Sequence, residues 1–203
     1  MIKIGLCGAS GAGKGYVSKI FKDLGVEYID TDKIYNEKIA VSSSACVKEL
    51  AQYFGDEIIN EDGSLNKKQL SKRVFFGENA SQHLKLLNFV THKYIKAYVV
   101  DLLEKYEKQG KTAVVIDAPV LFESKFDKLC DVTVCVTAPL ETKLKRIIER
   151  DRITREKALA RIESQLTDEM LRGLCTYEID NSGAIDMETQ IKSILRELKV
   201  DVR

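Results

Sequence analysis

Short apolar runs that stop at glycine or aspartate recur along this chain, and helix-period segments separate them. Residues 2–7 alternate and halt at Gly8, which predicts a short buried strand. After Lys14, apolar positions recur at three- and four-residue spacing through Leu24, which predicts a helix ended by Gly25. Residues 26–29 read as a second strand, followed at once by Asp30-Thr31-Asp32. Strand, glycine loop, helix and strand open a βαβ unit. Residues 112–116 (TAVVI, ending at Asp117) and 131–136 (DVTVCV) are continuous apolar runs, as central parallel strands buried on both faces require. Residues 177–179 form a last short strand before Asp180-Asn181-Ser182-Gly183, and residues 187–198 a closing helix.

Between about 33 and 109 the pattern changes to polar and helical, with no further buried strand. Asn66 with Gln69 three residues on is a capping box, and Leu65 with Leu70 fits a hydrophobic staple. Phe89, Ile95, Tyr98, Val99 and Leu102 make an apolar stripe that reads as core packing. A charged helical stretch runs from about 140 to 171. The prediction is an α/β fold of about five parallel strands with helices on both faces, the 33–109 region being inserted as a sub-domain. Ligands of such sheets collect at the carboxyl ends of the strands.

Bulk numbers narrow the picture little. The chain has 203 residues, enough for one domain, and a net charge of +1, which gives no whole-protein pull toward nucleic acid or membrane. Five scattered cysteines without a C-x-x-C pair read as reduced thiols of a cytoplasmic protein, and two histidines speak against a Cys/His zinc site. No apolar run approaches the ~20 residues that span a bilayer, and no signal-peptide layout opens the chain. The oligomeric state is left open, a monomer included.

The chemistry sits at the strand ends. GLCGASGAGKGY, residues 5–16, has the glycines and Gly-Lys pair of a phosphate-binding loop, whose amides and following helix N-terminus hold anionic oxygens. Position 15 is Gly and position 16 Tyr, where the common spelling has Ser or Thr after the lysine. Gly15 has no hydroxyl for Mg²⁺, so a water takes that place, and at Tyr16, where a second hydroxyl residue often holds the α-phosphate, Ser10 or Ser18 supplies the hydroxyl instead. The wording GAGKG also resembles adenylate kinases, where glycine after the lysine is normal. Asp30 and Asp32 end a strand, and alternation puts both on one side of it. They serve either as carboxylates for metal and acceptor hydroxyl or as a helix cap. Asp117 occupies a Walker B position, able to hold Mg²⁺, or forms a turn. Lys143, Arg146 and Arg150 share one helix face, either solvated or placed to stabilise charge on a transferring phosphoryl group. A guanine-nucleotide switch is excluded, because the Asn66-Lys67-Lys68-Gln69 stretch lacks the aspartate that reads the base.

Taken together, GLCGASGAGKG, DTDKI, YFGDEIINEDGSLNKKQLSKRVF, DAPVLFE, ETKLKRIIERDRITREKALARIESQL and EIDNSG resemble the dephospho-CoA kinases, nearly end to end. The resemblance implies a P-loop kinase that uses ATP and Mg²⁺ to phosphorylate dephospho-CoA, with no nucleic-acid or membrane partner. It implies a core (about 1–32, 110–138 and 174–203), a helical CoA-binding insertion (about 33–109) and a lid (about 139–173). Carried over by position, Gly11, Ala12, Gly13, Lys14, Gly15 and Tyr16 bind ATP phosphates, and Asp32 is the base facing the ribose 3′-hydroxyl. Arg146 and Arg150 are lid arginines, Asn181 lies near adenine, Phe122 and Glu123 line the acceptor side, and the region of His92 holds dephospho-CoA. Asp117 and Asp30 are the metal candidates. The chain departs from the family's usual spelling at Gly15-Tyr16, at His92-Lys93 where His-Pro is usual, and at Lys143 where Gln is usual.

Overall fold

In a computed structural model, which describes residues 1–201, five strands form one sheet: β1 (Ile2–Gly8), β2 (Glu27–Asp30), β3 (Ala113–Asp117), β4 (Val132–Thr137) and β5 (Tyr177–Asp180). The last two residues of the predicted core segment 174–203 lie outside the described residues. The spatial order is β2-β3-β1-β4-β5, and the pairings of β1 with β3, β1 with β4 and β4 with β5 are parallel. β1 is therefore central, as its burial demands. Its register sets Leu6 beside Asp117 and Gly8 beside Val136, so the loop after Gly8 leaves from the carboxyl edge of the sheet.

The strand period of two divides the sheet residues between its faces. Ile4, Leu6, Val115, Val134, Val136 and Ile179 pack with Val17, Ile20 and Phe21 of α1 (Lys14–Asp23) and with Ile191, Ile194 and Leu195 of α9 (Met187–Glu197). The opposite face at β1 is so tight that a side chain at Gly5 would meet Cys130 Sγ at 2.9 Å and Leu121 at 3.0 Å. All five cysteines are free thiols. Burial, reinforced by Asp127 and Asp131, pushes the Cys130 thiol up to about 12, and burial followed by Glu49 pushes that of Cys46 up to about 11. Raised thiol values favour the folded state below the unfolded value of about 8.5 and lose that contribution as the pH rises through the folded one. At pH 8 both thiols are protonated. Alkylation of Cys130 by iodoacetamide is expected to run roughly a thousandfold slower than that of free cysteine, because only the thiolate reacts. Peptide mass spectrometry over time, with a guanidinium-unfolded control, measures it.

The chain divides into two compact units, residues 1–29 with 106–203, and residues 30–105. The second holds α2 (Thr31–Ile34), which runs into a π-helical turn (Tyr35–Ile39), then α3 (Ala45–Phe54), α4 (Lys67–Phe75) and most of α5 (Ala80–Lys108). Ser44 caps α3 by accepting from Val47 N at 3.1 Å. Asn66 caps α4 by accepting from Gln69 N at 3.1 Å, as its spacing foretold. Of the predicted α5 stripe, Ile95 and Val99 are buried and Tyr98 and Leu102 half-buried, joined by Val90, Thr91 and Leu103, whereas Phe89 is exposed.

The charged stretch after β4 is three helices: α6 (Leu140–Asp151), α7 (Arg155–Glu163) and α8 (Asp168–Leu174). Arg152, at φ 53°, ends α6, while Thr154 and Thr167 cap the next two. Leu144, Ile147 and Ala158 form a small separate core with Ile148, Ile153, Leu159 and Ile162. Leu140, the first residue of α6, is exposed.

Candidate active site

The phosphate loop spans residues 8–14, between a buried strand and a buried helix. Gly13 precedes α1 in a left-handed conformation (φ 103°) that glycine alone adopts freely. No side chain caps that helix, and no acidic residue stands in its first turn. Tyr16 N donates to the Gly13 carbonyl at 2.9 Å, and the positive end of the dipole is left to an anion. Gly11 (φ 79°) is needed for space as well, since a side chain there would meet the Lys143 carbonyl oxygen at 2.5 Å. A side chain at Gly13 would strike Asn181 Nδ2 at 2.2 Å. At Gly15 an added carbon meets nothing within 4 Å. Tyr16, in the first turn of α1, is exposed.

The loop's outer rim is fixed by the chain that follows β4. Arg146 Nη1 donates to the carbonyls of Gly11 (3.1 Å) and Ala12 (3.3 Å), and Asn181 Nδ2 donates to that of Ala12 (2.7 Å). Ser10 N donates to Gln165 Oε1 at 2.9 Å. The Arg146 and Asn181 contacts occupy carbonyls, whereas two loop amides are themselves engaged, Ser10 N with Gln165 and Ala12 N with the Ala9 carbonyl at 3.0 Å.

Lys14 Nζ is paired with Asp117 Oδ1. The other carboxylate oxygen accepts from the Tyr28 phenol and lies 3.4 Å from Ser18 Oγ. Ser18 Oγ donates to the Lys14 carbonyl at 2.8 Å and adjoins the Tyr28 hydroxyl. Lysine and aspartate side chains here are 20% and 9% exposed, so the pair is largely shielded from solvent yet open to a ligand. The donors are hard oxygens, and the volume at Gly15 has room for a water. That set fits Mg²⁺, which takes one or two carboxylates, keeps several waters and shares substrate phosphates. Among the described residues no group of three or more His, Cys, Asp or Glu side chains gathers as a cage.

Other anticipated residues fall elsewhere. Asp30 caps α2, its carboxylate accepting from Lys33 N at 2.9 Å. Asp32 lies inside α2, so the alternation expected of a strand does not apply to it. The strand ends at Asp30 because the helix starts at Thr31. Asp32 is exposed. Arg150 pairs with Asp151 through Nε at 2.7 Å and Nη2 at 3.0 Å, away from the loop carbonyls that hold Arg146. Arg150 and Arg161 together press the Asp151 carboxyl down to about 2. Lys143 corrects the solvated-face reading: it is buried and ion-paired to Asp168 at 2.9 Å. Glu123 borders a cavity of about 90 Å³ with Gly8, Ala9, Pro119 and Gln165, and Phe122 is half-buried beside it in the chain. His92, in α5 of the second unit, is half-buried, and burial lowers its imidazole below the usual value.

Two site residues escaped the sequence reading. Gln165 lies in a helix connection, where no periodicity marks it. Tyr28 reads as a strand residue, and its one signal is a polar tip two positions before Asp30, on the same side of the strand.

A family model described as dephospho-CoA kinase matches residues 2–187. The dephospho-CoA kinase of Listeria monocytogenes serotype 4b is 35% identical over 196 residues, covering 97% of this chain and 95% of that protein. The dephospho-CoA kinase of Clostridium tetani is 35% identical, covering 94% of this chain and 82% of its own. Among solved structures, one from Thermus thermophilus superposes with a TM-score of 0.80 at 28% identity, covering 97% of both chains. The dephospho-CoA kinase from Campylobacter jejuni gives 0.69 at 25% identity, over 97% of this chain and 96% of that one. A shikimate kinase from Bacteroides thetaiotaomicron, at 16% identity and a TM-score of 0.52, shares the fold. A loop stripped of side chains at Gly11 and Gly13, a lysine held on a strand-end aspartate, and a family model that matches residues 2–187 agree: the chain belongs to the dephospho-CoA kinase family.

Proposed function

We infer that this chain transfers the γ-phosphoryl group of ATP to the ribose 3′-hydroxyl of dephospho-CoA, yielding ADP and CoA in the last step of coenzyme A synthesis. The observation that carries the reading is the family match over residues 2–187 of a chain whose phosphate loop and lysine are intact. In the transfer, the bond from the γ-phosphorus to its bridging oxygen breaks and one to the 3′-oxygen forms, while the hydroxyl proton passes to a base. Asp32 is that base, and its helix is the segment immediately after the β2 carboxyl end. Loop amides and Lys14 hold the β- and γ-phosphates, and Lys14 exchanges Asp117 for them when ATP arrives. Mg²⁺, when bound, neutralises charge on these phosphates, and Asp117 is its protein ligand, with Asp30 as the second candidate.

Arg146 and Arg150 belong to a lid of residues 139–173 that closes over the γ-phosphate and keeps water from competing with the acceptor. Arg146 already rests on the loop carbonyls, and Arg150 would exchange Asp151 for phosphate oxygens. Asn181 serves the adenine side of ATP. Phe122, Glu123 and the helical region with His92 serve dephospho-CoA. The enzyme works in the cytoplasm, in keeping with reduced thiols throughout.

A coupled assay of ADP release with dephospho-CoA, AMP and shikimate as acceptors tests the reading. ADP release is expected with dephospho-CoA, with the product identified as CoA. Preference for AMP, or no release with any acceptor, would overturn it.

A further inference from the structure

The loop gives up a hydroxyl at position 15 that other phosphate loops present to Mg²⁺. Space is not the reason, because a side chain there would meet nothing within 4 Å. Two hydroxyls instead gather at the strand-end carboxylate: Tyr28 donates to it from β2, two strands from β1 in the sheet, and Ser18, one turn further along α1, lies 3.4 Å from it while giving its proton to the Lys14 carbonyl. Asp117 Oδ1 faces Lys14, while Oδ2 faces Tyr28 and Ser18.

We propose that Tyr28 and Ser18 stand in for the missing loop hydroxyl by locking the Asp117 carboxylate in the orientation that Mg²⁺·nucleotide requires. The inference rests on the kinase reading above and extends it to two positioning residues. When a nucleotide draws Lys14 onto its phosphates, Oδ1 is released for the metal or its water. Oδ2 stays held, so the carboxylate cannot swing away. A carboxylate fixed by hydrogen bonds is a better-prepared partner than a free rotor, and outer-shell partners of this kind typically change metal affinity 10–100-fold. The Tyr28 ring is independently anchored: it packs against the core and carries Lys22 Nζ at 4.0 Å from its centroid. Removing its hydroxyl therefore leaves the ring in place.

The test needs no acceptor and no turnover. Calorimetry measures ADP affinity with Mg²⁺ and with chelator, and the paramagnetic signal of Mn²⁺·ADP reports the metal directly. The wild type is expected to bind ADP more tightly with metal. Tyr28→Phe should lower the metal-dependent gain about 10-fold and leave chelator-condition affinity unchanged. Ser18→Ala should lower it by less. Adding Gly15→Ser to Tyr28→Phe should restore it, which a merely structural role for Tyr28 would not allow. Metal gain unaltered in both single variants, or no recovery in the double variant, would overturn the inference. Either result would leave the reaction standing if wild-type enzyme still phosphorylates dephospho-CoA, whereas loss of that reaction with metal gain intact would overturn the reaction alone.

Discussion

Lys14→Ala is expected to lower turnover about 10³-fold while leaving the fold in place. Removing a single donor aimed at developing charge in a closed site costs about 10²–10³ in rate. For Lys14 we expect the upper end, close to 4 kcal/mol of barrier, because it brings a full charge to the phosphates. Stability should suffer little. The carboxylate it leaves keeps the Tyr28 phenol as donor, so Asp117 is not stranded. The packing of α1 rests on Val17, Ile20 and Phe21, which the substitution does not touch. Steady-state rates with saturating dephospho-CoA, alongside a thermal melt, separate the two effects. Near-normal turnover with an unchanged melt would remove Lys14 from the mechanism.

The second large effect is expected at Asp32. Asp32→Asn keeps size, helix position and the ability to make hydrogen bonds, and it removes only the capacity to take a proton. General-base groups contribute about 10²–10⁴-fold, so turnover should fall by that order. ADP affinity should stay within about twofold of wild type, since the nucleotide is held by loop and lysine. The loss of one negative charge from the first turn of α2 costs a few tenths of a kcal/mol at most at an exposed site, too little to unfold the segment. Single-turnover kinetics with preloaded ATP reads the chemical step alone. A variant with full single-turnover rate would hand the base role to another group, Asp30 first.

How far could the chain be read without coordinates? The strands were legible because each buried run is short, apolar and closed by glycine, aspartate or proline. Asn66 was legible because a cap depends on residues three apart. The same local logic failed where a neighbour from far along the chain decides. Phe89 fits a helical stripe with Ile95 and Val99, yet it is exposed while they are buried, and Val90 joins them instead. Lys143 sits among charges and reads as solvated, but Asp168, twenty-five positions on, draws it inside. Asp30-Thr31-Asp32 allowed either strand-end carboxylates or a helix cap, and the Asp30 bond to Lys33 N shows the cap, with Asp32 inside the helix rather than on the strand.

At the site, residues 8–14 announce themselves, since a phosphate loop is built from one continuous segment whose glycines answer local backbone and steric demands. The family followed from blocks spread over nearly the whole length. Which side chains meet Asp117 did not. Lys14, Ser18, Tyr28 and Asp117 come from two helical turns and two strands, and Lys14 and Asp117 are 103 positions apart. Sheet order alone brings them together, because β2 lies next to β3, and a one-dimensional pattern records neither that adjacency nor the direction a hydroxyl points. Periodicity and spacing encode what a residue does to its own backbone, whereas the company it keeps across the sheet is settled only when the strands are laid side by side.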